Sequence, residues 1–495
     1  MDDDKKRKTT KRNFKNNIKT NILKMRSIKK LEKYDVIVIG GGPGGIPAAI
    51  ASARSGMRTL LVERNAFLGG VAATGLPILA FYDRTGRQVV GGIGDELIQK
   101  LAKQGGSFSG HIPCPIHNSF TPVNPHMFRN VAMQTCKDAG VEMLFSTEIK
   151  DVNIEDGKVK GVVLFSRSTV MEAECKVIID ATGEGTAAYL AGAMYDIGNA
   201  HDKKIQPVSL IFCLGNVDIE EMLLYIKKHP ETFATPDTYG QGIDYTLDYF
   251  LNSESFYFTG FGEFIEQAKK NGDFNVPRDR VIFAKQPNKN EIVVNATRVI
   301  NVDPTDPESL SLAEIEGHRQ VQVLFNFFKK YCPGFKDAFL ANTAAGTYAR
   351  ESRRITGIKT VTKANIDELL IPEDSIALAG YNVDIHQSGI GLNLLPSAHA
   401  IGIPYGCLVS KNIEGLLTSG RCISVEPYPF GLTRAMATCM AIGEAAGTAA
   451  ALALNNGSSL KKVNVQKLRR VLEKNGAIVS VDERLKTNKS ELLKH

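Results

Sequence analysis

The sequence lacks an apolar run long enough to cross a lipid bilayer, which takes about 20 consecutive apolar residues. One of its longest apolar stretches, residues 445–454, reaches only half that length. No segment has the charged and apolar pattern of a signal peptide. We therefore expect a soluble, cytoplasmic protein with no membrane span.

Paired cysteines are also missing. The eight cysteines are scattered singly, without a Cys-x-x-Cys pair. This spacing fits neither a zinc site nor a dithiol redox centre, so we expect no metal and buried thiols in a reducing compartment. Cys114, Cys407 and Cys422 remain open to a role in chemistry.

Basic charge is confined to one end of the chain. The formal net charge is +7, but residues 1–33 hold 13 Lys or Arg against four Asp or Glu, a net of +9. The other 462 residues therefore carry a net charge of −2, which argues against nucleic-acid binding. The basic arm has no periodic apolar face, so we expect a disordered tail, with a targeting arm as the alternative.

A buried strand followed by glycines opens the rest of the chain. Residues 34–39 (YDVIVI) form a β-branched apolar run, and the turn at 40–45 (GGGPGG) leads into an alanine-rich helix at 46–55. Residues 58–63 (RTLLVE) predict a second buried strand. A strand, a turn, a helix and a second strand within about thirty residues are typical of a dinucleotide-binding unit.

Each glycine of the turn has its own role. Gly40 permits a tight turn, Gly42 lets a phosphate approach the backbone, and Gly45 lets the helix pack closely on the strand. The N-terminus of the helix then stabilises a pyrophosphate without a basic side chain. Glu63 ends the second strand, where a carboxylate can accept both ribose hydroxyls of an adenosine. The pattern predicts a dinucleotide but leaves open which one.

Features beyond this unit disfavour NAD as the sole cofactor. Three strands at 149–154, 159–166 and 170–173, with a hairpin turn at 156–157, predict a β-meander, and a buried strand returns at 176–180. The composition changes between about 195 and 405, which we interpret as an inserted domain with a helix near 312–330. A strand and turn at 415–421 and one long helix at 432–454 then return to the first domain.

Five motifs resemble those of FAD-dependent oxidoreductases related to the succinate dehydrogenase and fumarate reductase flavoproteins. They stand at residues 63–70 (ERNAFLGG), 178–183 (IIDATG), 349–357 (ARESRRITG), 384–386 (DIH) and 418–424 (TSGRCIS). The resemblance covers about residues 34–455. It implies an α/β fold of the glutathione-reductase type, in which a Rossmann-like FAD-binding domain, with a parallel sheet and a β-meander, carries an inserted α+β substrate domain.

The resemblance and the composition together predict the domain organisation. The expected parts are a basic tail at 1–33, the FAD-binding domain at 34–194 and 406–456, an inserted substrate or cap domain at 195–405, and a C-terminal extension at 457–495.

The resemblance also implies positions along the cofactor. Gly69 and Gly70 would lie along its ribityl and flavin side, Thr182 and Gly183 near the ADP portion, and Gly420 with Arg421 near the pyrophosphate. The helix after Gly431 is expected to direct amides at the pyrimidine edge of the flavin, with a plain core helix as the alternative. The full set of expected FAD contacts is Gly40, Gly42, Pro43, Gly44, Gly45, Glu63, Arg64, Gly69, Gly70, Thr182, Gly183, Gly420, Arg421 and Gly431.

Two departures from related enzymes refine this expectation. No histidine or cysteine lies close to Gly69 and Gly70, where fumarate-reductase relatives can carry a covalent flavin link, so we expect non-covalent FAD. A second Gly-x-Gly-x-x-Gly motif is also absent. We therefore expect electrons to enter from the substrate or from a partner protein.

Four residues are candidates for the chemistry. Arg350 and Arg354 could each clamp a carboxylate, because the guanidinium presents two parallel donors. His386 could donate a proton or orient a carbonyl, and Arg434 could hold an anionic substrate or the reduced flavin. Structural ion pairs, helix capping and a satisfied core histidine are the alternatives. The loop at 105–125, with His111, Cys114 and His117, suits either a lid or an ordinary surface loop.

The sequence thus predicts an enzyme that moves a hydride between a small organic substrate and the flavin N5, and the arginines favour an acidic substrate. Its alternatives are a flavin-bearing electron-transfer subunit with a protein partner, and a non-catalytic FAD-binding protein. The substrate, the direction of the reaction and the oligomeric state stay open.

Overall fold

The computed structural model describes residues 28–108, 110–199, 203–233, 246–386 and 399–481, and the backbone of 392–395. Most of the basic arm lies outside these residues. Its last part belongs to the fold, because strand Lys29–Lys30 pairs in parallel with strand Thr169–Asp180. These two residues are therefore not part of a disordered tail. Backbone hydrogen bonds hold them in place, and such bonds require no apolar face.

A mixed eight-stranded sheet is the centre of the nucleotide-binding part. The parallel strands of this sheet lie in the order Glu142–Leu144, Thr59–Val62, Tyr34–Ile39, Thr169–Asp180 and Leu416–Thr418. Side chains of strand Tyr34–Ile39 alternate between two hydrophobic clusters: Val36 and Val38 enter one, Ile37 and Ile39 the other. The strand is therefore buried on both faces, as its uninterrupted apolar run predicts.

Strand Thr169–Asp180 belongs to two kinds of pairing at once. Its first half pairs antiparallel with strand Lys158–Ser166, which in turn pairs with strand Glu148–Glu155. Its second half runs parallel to strand Tyr34–Ile39. The meander is confirmed, but the two separate strands expected at 170–173 and 176–180 are one continuous strand. No turn signal separates the apolar residues that belong to the meander from those that belong to the buried parallel sheet, so the strand continues without a break.

A second sheet of five antiparallel strands forms the core of the inserted region. Its strands lie in the order Tyr257–Gly260, Val281–Lys285, Ile292–Val294, Phe212–Gly215 and Phe339–Thr343. The predicted long helix is helix Pro307–Tyr331. Aromatic residues fill this part of the core, since Phe250, Phe256 and Phe258 are at most 1% exposed.

The remaining elements connect and cover these two sheets. The shorter strand groupings are Ile78–Leu79 with Asn118–Thr121 and Ile112–Cys114, Tyr195–Asp196 with Arg354–Ile355, Ser375–Ala379 with Ile401–Pro404, and Val383–His386 with Leu392–Leu395. The other helices are Gly45–Arg54, Gly92–Lys103, Pro125–Asp138, Thr186–Leu190, Ile219–Lys228, Leu247–Asn252, Gly262–Lys270, Lys363–Asp367, Pro427–Thr433, Met436–Asn455 and Val465–Lys474. The strand pair at 375–404 packs on helix Met436–Asn455, so this stretch lies beside the nucleotide-binding part.

The long helix expected at 432–454 is interrupted. Helix Pro427–Thr433 ends at Arg434, and helix Met436–Asn455 begins after Ala435, whose backbone is extended with ψ 138°. The chain leaves the helical path at Ala435, and the side chain of Arg434 donates to Asp384. The expectation of one helix is wrong because apolar periodicity continues through the break, while a tertiary ion pair decides where the helix stops.

Helix Met436–Asn455 packs directly on helix Gly45–Arg54. A Cβ on Gly443 would overlap the carbonyl oxygen of Gly44, and a Cβ on Gly447 would overlap that of Ala48. Glycine at both positions lets the two backbones touch. This contact holds the C-terminal helix against the glycine-rich turn.

Contrary to the sequence expectation that no apolar run is long enough, helix Met436–Asn455 could cross a membrane by length and composition alone, with a mean hydropathy of 1.4 in its most apolar stretch. The structure instead buries 83% of that stretch inside the protein. The helix is therefore a core helix of the protein.

We predict that Gly443→Ala disrupts the helix contact. Although alanine favours the helix by about 1 kcal/mol, the added methyl group forces two backbones apart, so a net loss of at least about 2 kcal/mol in the free energy of unfolding is expected. The control Gly56→Ala adds a methyl group where no atom lies within 4 Å, at φ +87°, and should cost only about 1 kcal/mol. Urea unfolding measures both. Equal losses would contradict the packing role.

A buried carboxyl makes stability depend on pH. Glu444 is 1% exposed and accepts a hydrogen bond from the Ile93 amide at 2.8 Å. Burial raises its pKa from 4.5 to about 7, against the opposing influence of Ile93 and Arg54 and with a smaller contribution from Glu96 in the same direction. The folded state therefore favours the neutral carboxyl. This contribution is complete below pH 4.5 and is lost as the pH rises through about 7.

Glu444→Gln keeps the hydrogen bond to Ile93 and removes the titration. We expect the free energy of unfolding of the wild type to fall by on the order of 3 kcal/mol between about pH 5 and about pH 8 relative to the variant. Urea titrations of both proteins at the two pH values measure this difference. An identical pH dependence in the two proteins would show that another group is responsible.

Candidate active site

One cavity of about 530 Å³ connects the glycine-rich turn to the second sheet. Its outer end is lined by residues of the turn and by the ends of the parallel strands, and its inner end by residues of the inserted region. Expected FAD contacts that line it are Gly40, Gly42, Pro43, Gly44, Glu63, Arg64, Gly70, Thr182, Gly183, Gly420 and Arg421. The structure thus brings most of the expected cofactor residues together.

The turn leaves space where a phosphate would lie. A Cβ on Gly42 would meet only the Cα of Gly70, at 3.8 Å, so this position is open toward the cavity. Gly45 has the opposite role, because its Cβ would overlap the carbonyl oxygen of Gly40. Gly45 therefore packs helix against strand and does not line the cavity. The open backbone at the start of a helix fits a dinucleotide pyrophosphate.

Gly69 and Gly431 also act outside the cavity wall. The Gly69 amide donates to the Gly41 carbonyl at 2.8 Å and fixes the turn. A Cβ on Gly431 would lie 2.8 Å from the Asp384 carbonyl oxygen, so this glycine lets helix Pro427–Thr433 approach strand Val383–His386. Neither residue lines the cavity, and their effect on a cofactor is indirect, through the packing of its neighbours.

Glu63 ends its strand facing the turn. Its Oε2 accepts from the Gly41 amide at 2.7 Å, and its Oε1 accepts two hydrogen bonds of 2.7 Å from the backbone and side chain of Asn65. A carboxylate has about four acceptor positions. Oε2 therefore keeps one position for a ligand hydroxyl, which makes acceptance of two ribose hydroxyls less favourable than the sequence predicts.

Asp180 shapes the loop that carries Thr182 and Gly183. This buried carboxylate accepts hydrogen bonds from the amide and hydroxyl of Thr182 and from the Ala188 amide. Burial raises its pKa, partly offset by the Ala188 and Thr182 bonds. The loop is therefore held at the edge of the sheet, with Thr182 in the cavity wall.

Arg421 closes the same side of the cavity. Its guanidinium donates to the Ala349 carbonyl and to Glu184 at 2.8 Å. Next to it, the Ser419 hydroxyl donates to the Gly44 carbonyl at 3.1 Å. The residues that follow strand Leu416–Thr418 therefore contact both the glycine turn, through Ser419, and the inserted region at Ala349, through Arg421.

The N-terminus of helix Met436–Asn455 reaches the cavity through Ala435, Met436 and Cys439. No side chain caps this helix. From the sequence we expect the amides near Leu432 to face the cofactor, because the helix is predicted to begin there. The helix begins four residues later, so Met436 takes the place of Leu432 in this expectation. Cys439 is the cavity cysteine, whereas Cys114, Cys407 and Cys422 lie outside the wall.

All eight cysteines are free and buried. Burial raises the pKa of the Cys407 and Cys439 thiols to about 12 and raises those of Cys114 and Cys422 as well. Thiols in this state are poor nucleophiles. The geometry therefore gives the cysteines a packing role.

The inner end of the cavity contains a buried network of charges around Asp384. Arg434 donates to Oδ2 of Asp384 at 2.7 Å, and His386 places Nε2 3.2 Å from Oδ1. Burial raises the pKa of Asp384, but His386 and Arg434 more than offset this, so the pKa lies below its ordinary value. Asp384 is thus ionised and holds Arg434 at the cavity wall.

His386 is fixed in one neutral form. Arg298, which can only donate, lies 3.3 Å from Nδ1, so Nδ1 accepts and Nε2 carries the hydrogen toward Asp384. Burial lowers the pKa of His386 well below its ordinary value, despite the opposing carboxylate of Asp384. Nδ1 has a hydrogen-bond partner, whereas Oδ1 of Asp384 accepts no hydrogen bond from Nε2, and the ring lines the cavity. Because the ring is neutral, it has no spare proton near pH 7, which disfavours the expected role as a proton donor and favours the alternative of a structural histidine.

Arg350 and Arg354, two of the three candidate arginines, lie in different surroundings. Arg350 lines the cavity, is 2% exposed and donates to the Pro207 carbonyl, to Ser209 and to Asn295. Arg354 does not line it: its guanidinium is paired with Glu351 at 2.6 Å and with Asp196. The structure therefore favours a structural ion pair for Arg354, although the two residues are only four positions apart.

Several cavity residues escape the sequence motifs. Tyr257, Asn295, Tyr348, Tyr381 and His117 line the inner end. Tyr348 directly precedes the arginine motif and His117 lies in the loop considered as a lid, so both had a weak signal. Asn295 directly follows strand Ile292–Val294, and Tyr381 lies between strands Ser375–Ala379 and Val383–His386. Neither belongs to a motif, and only the packing of the chain brings them together.

We predict that Gly42→Val preserves the fold but prevents cofactor binding. The valine side chain has room in the folded protein yet fills the position open to the phosphate, so the FAD-to-protein ratio should fall at least about ten-fold. The absorbance ratio at 450 nm and 280 nm after purification measures this loss, and the thermal unfolding of the cofactor-free protein checks the fold. Full FAD content in the variant would contradict the assignment of the turn.

Comparisons with known proteins agree with this geometry. The family model for FAD dependent oxidoreductases matches residues 35–472. Digeranylgeranylglycerophospholipid reductase of Sulfolobus acidocaldarius is 31% identical over 160 residues, covering 30% of this chain and 34% of that protein. Digeranylgeranylglycerophospholipid reductase 2 of Methanothermobacter thermautotrophicus is 30% identical over 203 residues, covering 39% and 50%. The chain thus spans about a third to a half of the length of these relatives.

A crystal structure of a geranylgeranyl bacteriochlorophyll reductase-like protein from Thermoplasma acidophilum aligns over 91% of this chain and 85% of its own, with 15% identity and a TM-score of 0.45. The comparisons do not specifically support the relation to succinate dehydrogenase, fumarate reductase or glutathione reductase, which stays a prediction. Because the family model matches nearly the whole described chain, this protein belongs to the family of FAD-dependent oxidoreductases, and it is an FAD-binding enzyme.

Proposed function

We propose that the protein transfers a hydride between a small, carboxylate-bearing organic substrate and the N5 atom of a non-covalently bound FAD. The observation that carries this proposal is the shape of the cavity, which does not end at the glycine-rich turn but continues to the buried Arg350. Bound FAD would supply the hydride acceptor or donor. The inner end would then hold the substrate.

The chain's own residues support three tasks at the inner end. Arg350 offers a charged donor to a carboxylate, Asp384 keeps Arg434 directed at the cavity, and the aromatic residues exclude water from the site. A dry site strengthens the electrostatic contacts between protein and substrate. These tasks require the inserted region and the nucleotide-binding part together.

A proton must also enter or leave the substrate. Tyr381 lines the cavity, and its hydroxyl lies 2.9 Å from Nδ1 of His117. Burial lowers the pKa of His117 to about 4 and raises the pKa of Tyr381, so both are neutral near pH 7. We propose this pair as the route for the proton in place of His386.

The charged and aromatic residues at the inner end favour an enzyme over a non-catalytic FAD-binding protein, since the latter needs no such groups beside its cofactor. A cytoplasmic location remains part of the proposal. It is supported by the eight free cysteines, which suit a reducing compartment.

Acid precipitation of the purified protein tests the cofactor state. We expect FAD in the supernatant, identified by chromatography, because no histidine or cysteine adjoins Gly69 and Gly70. Flavin that stays with the precipitated polypeptide would show a covalent link and contradict this part of the proposal.

An anaerobic screen of small carboxylic acids, followed by flavin absorbance, tests the reaction. For an acid that reduces the flavin, Arg350→Met should lower kcat/KM by about 10- to 100-fold, because one charge-assisted interaction is lost. Arg353→Met is the matched control: Arg353 stacks on Tyr189 at 4.2 Å, outside the cavity wall. Similar losses in both variants would contradict the role of Arg350.

A further inference from the structure

Arg350 is a buried cation that interacts with the charge of Asp384 but forms no ion pair with it. Its hydrogen-bond partners are the Pro207 carbonyl, the Ser209 hydroxyl and the Asn295 amide oxygen, all of them neutral. No carboxylate within the described parts of the chain forms an ion pair with it. A buried guanidinium without a counter-ion is unfavourable, so an anion in the adjoining cavity would stabilise it.

Further arginines lie behind this wall. Arg278 is 3% exposed and donates to the carbonyls of Ala296 and Thr297. Burial, together with Arg350 and Arg298, lowers the pKa of Arg278 to about 9. The carboxylates nearby are already paired: Asp384 with Arg434, Glu351 with Arg354, and Asp279 with Arg280. The inner end therefore has an excess of positive charge that favours one anionic group.

The walls around that charge are flat and aromatic. The His117 and Tyr257 rings meet edge to face with their centroids 4.4 Å apart, and the His117 and Tyr381 rings are inclined by 29° at 5.8 Å. Ile116 and Ile282 complete this part of the wall. Such a surface suits a planar conjugated body, because ring faces and edges make offset or perpendicular contacts with another π-system.

Two arginines line the inner end, Arg350 and Arg434, and of these two only Arg350 has no carboxylate among its hydrogen-bond partners. Arg350 faces the cavity with neutral partners, whereas the Nη2 atom of Arg434 binds the backbone and the side chain of Asp384. A second carboxylate on the ligand would therefore lie among Ile116, Ile282 and the tyrosine rings. Burial of a charge there would be costly, which disfavours dicarboxylates.

From these contacts we infer that the inner end of the cavity binds a planar, conjugated monocarboxylate, with the carboxylate on Arg350 and the planar body between Tyr257, Tyr381 and His117. This inference rests on the proposed function, whose substrate class it specifies. It excludes saturated acids of the same size and dicarboxylates as good ligands.

Benzoate is the probe for this subsite. Titration of the FAD-loaded protein with benzoate, cyclohexanecarboxylate and fumarate is followed by isothermal calorimetry and by the visible flavin spectrum. We expect benzoate to bind at least about ten-fold more tightly than the other two acids, because the saturated ring is not flat and the second carboxylate lacks a cation.

Variants separate the charge from the planar wall. Arg350→Met should weaken benzoate binding by about 10- to 100-fold, Arg350→Lys should restore part of it, and Arg353→Met should leave it unchanged. Tyr257→Leu keeps the charge but removes a ring, so it should reduce the preference for benzoate over cyclohexanecarboxylate. The FAD content of every variant reports whether the protein has folded, and Arg350→Lys covers the case in which Arg350→Met does not fold.

Three results would overturn the inference: no benzoate binding to the FAD-loaded wild type, equal affinity for benzoate and cyclohexanecarboxylate, or tighter binding of fumarate. Failure of the proposed function is seen separately, as the absence of flavin reduction or oxidation with any acid that binds. Calorimetry measures binding whether or not the flavin reacts, so each failure is distinguishable from the other.

Discussion

The contact between two helices through glycine determines the rest of this structure. Gly443 and Gly447 bring helix Met436–Asn455 against the carbonyl oxygens of Gly44 and Ala48, at the start of the dinucleotide-binding helix. Any side chain at these positions would move the two backbones apart. Met436, at the N-terminus of this helix, lies in the cavity wall. The contact therefore places the C-terminal segment beside the glycine-rich turn.

A second constraint acts where the helix begins. Asp384 binds Arg434 and faces His386, while Gly431 lets helix Pro427–Thr433 lie directly on the strand that carries Asp384. The ion pair is desolvated, so loss of either partner would leave a buried charge. It therefore fixes the break before Met436 and the inner wall of the cavity at the same time. The nucleotide-binding part and the inserted region share one site because this contact joins them.

The cofactor end was predictable because its chemistry is local. Gly40, Gly42 and Gly45 follow each other in one turn, and their spacing has a direct steric meaning. Three of the glycines expected to contact the cofactor, Gly45, Gly69 and Gly431, do not line the cavity. Gly69 fixes the turn through its amide, and Gly431 lets two backbones approach. A glycine that admits a phosphate cannot be told by its identity alone from one that admits another segment.

The sequence by itself determined the class of protein: the buried strand, the glycine turn and Glu63 specify a dinucleotide site within thirty residues. Only the tertiary structure decided the inner end. Arg350 and Arg354 are identical in type and four positions apart, yet one faces the cavity with neutral partners and the other is paired with Glu351. Local patterns encode backbone geometry, whereas the partner of a charged side chain depends on segments far apart in sequence, which only folding brings within reach.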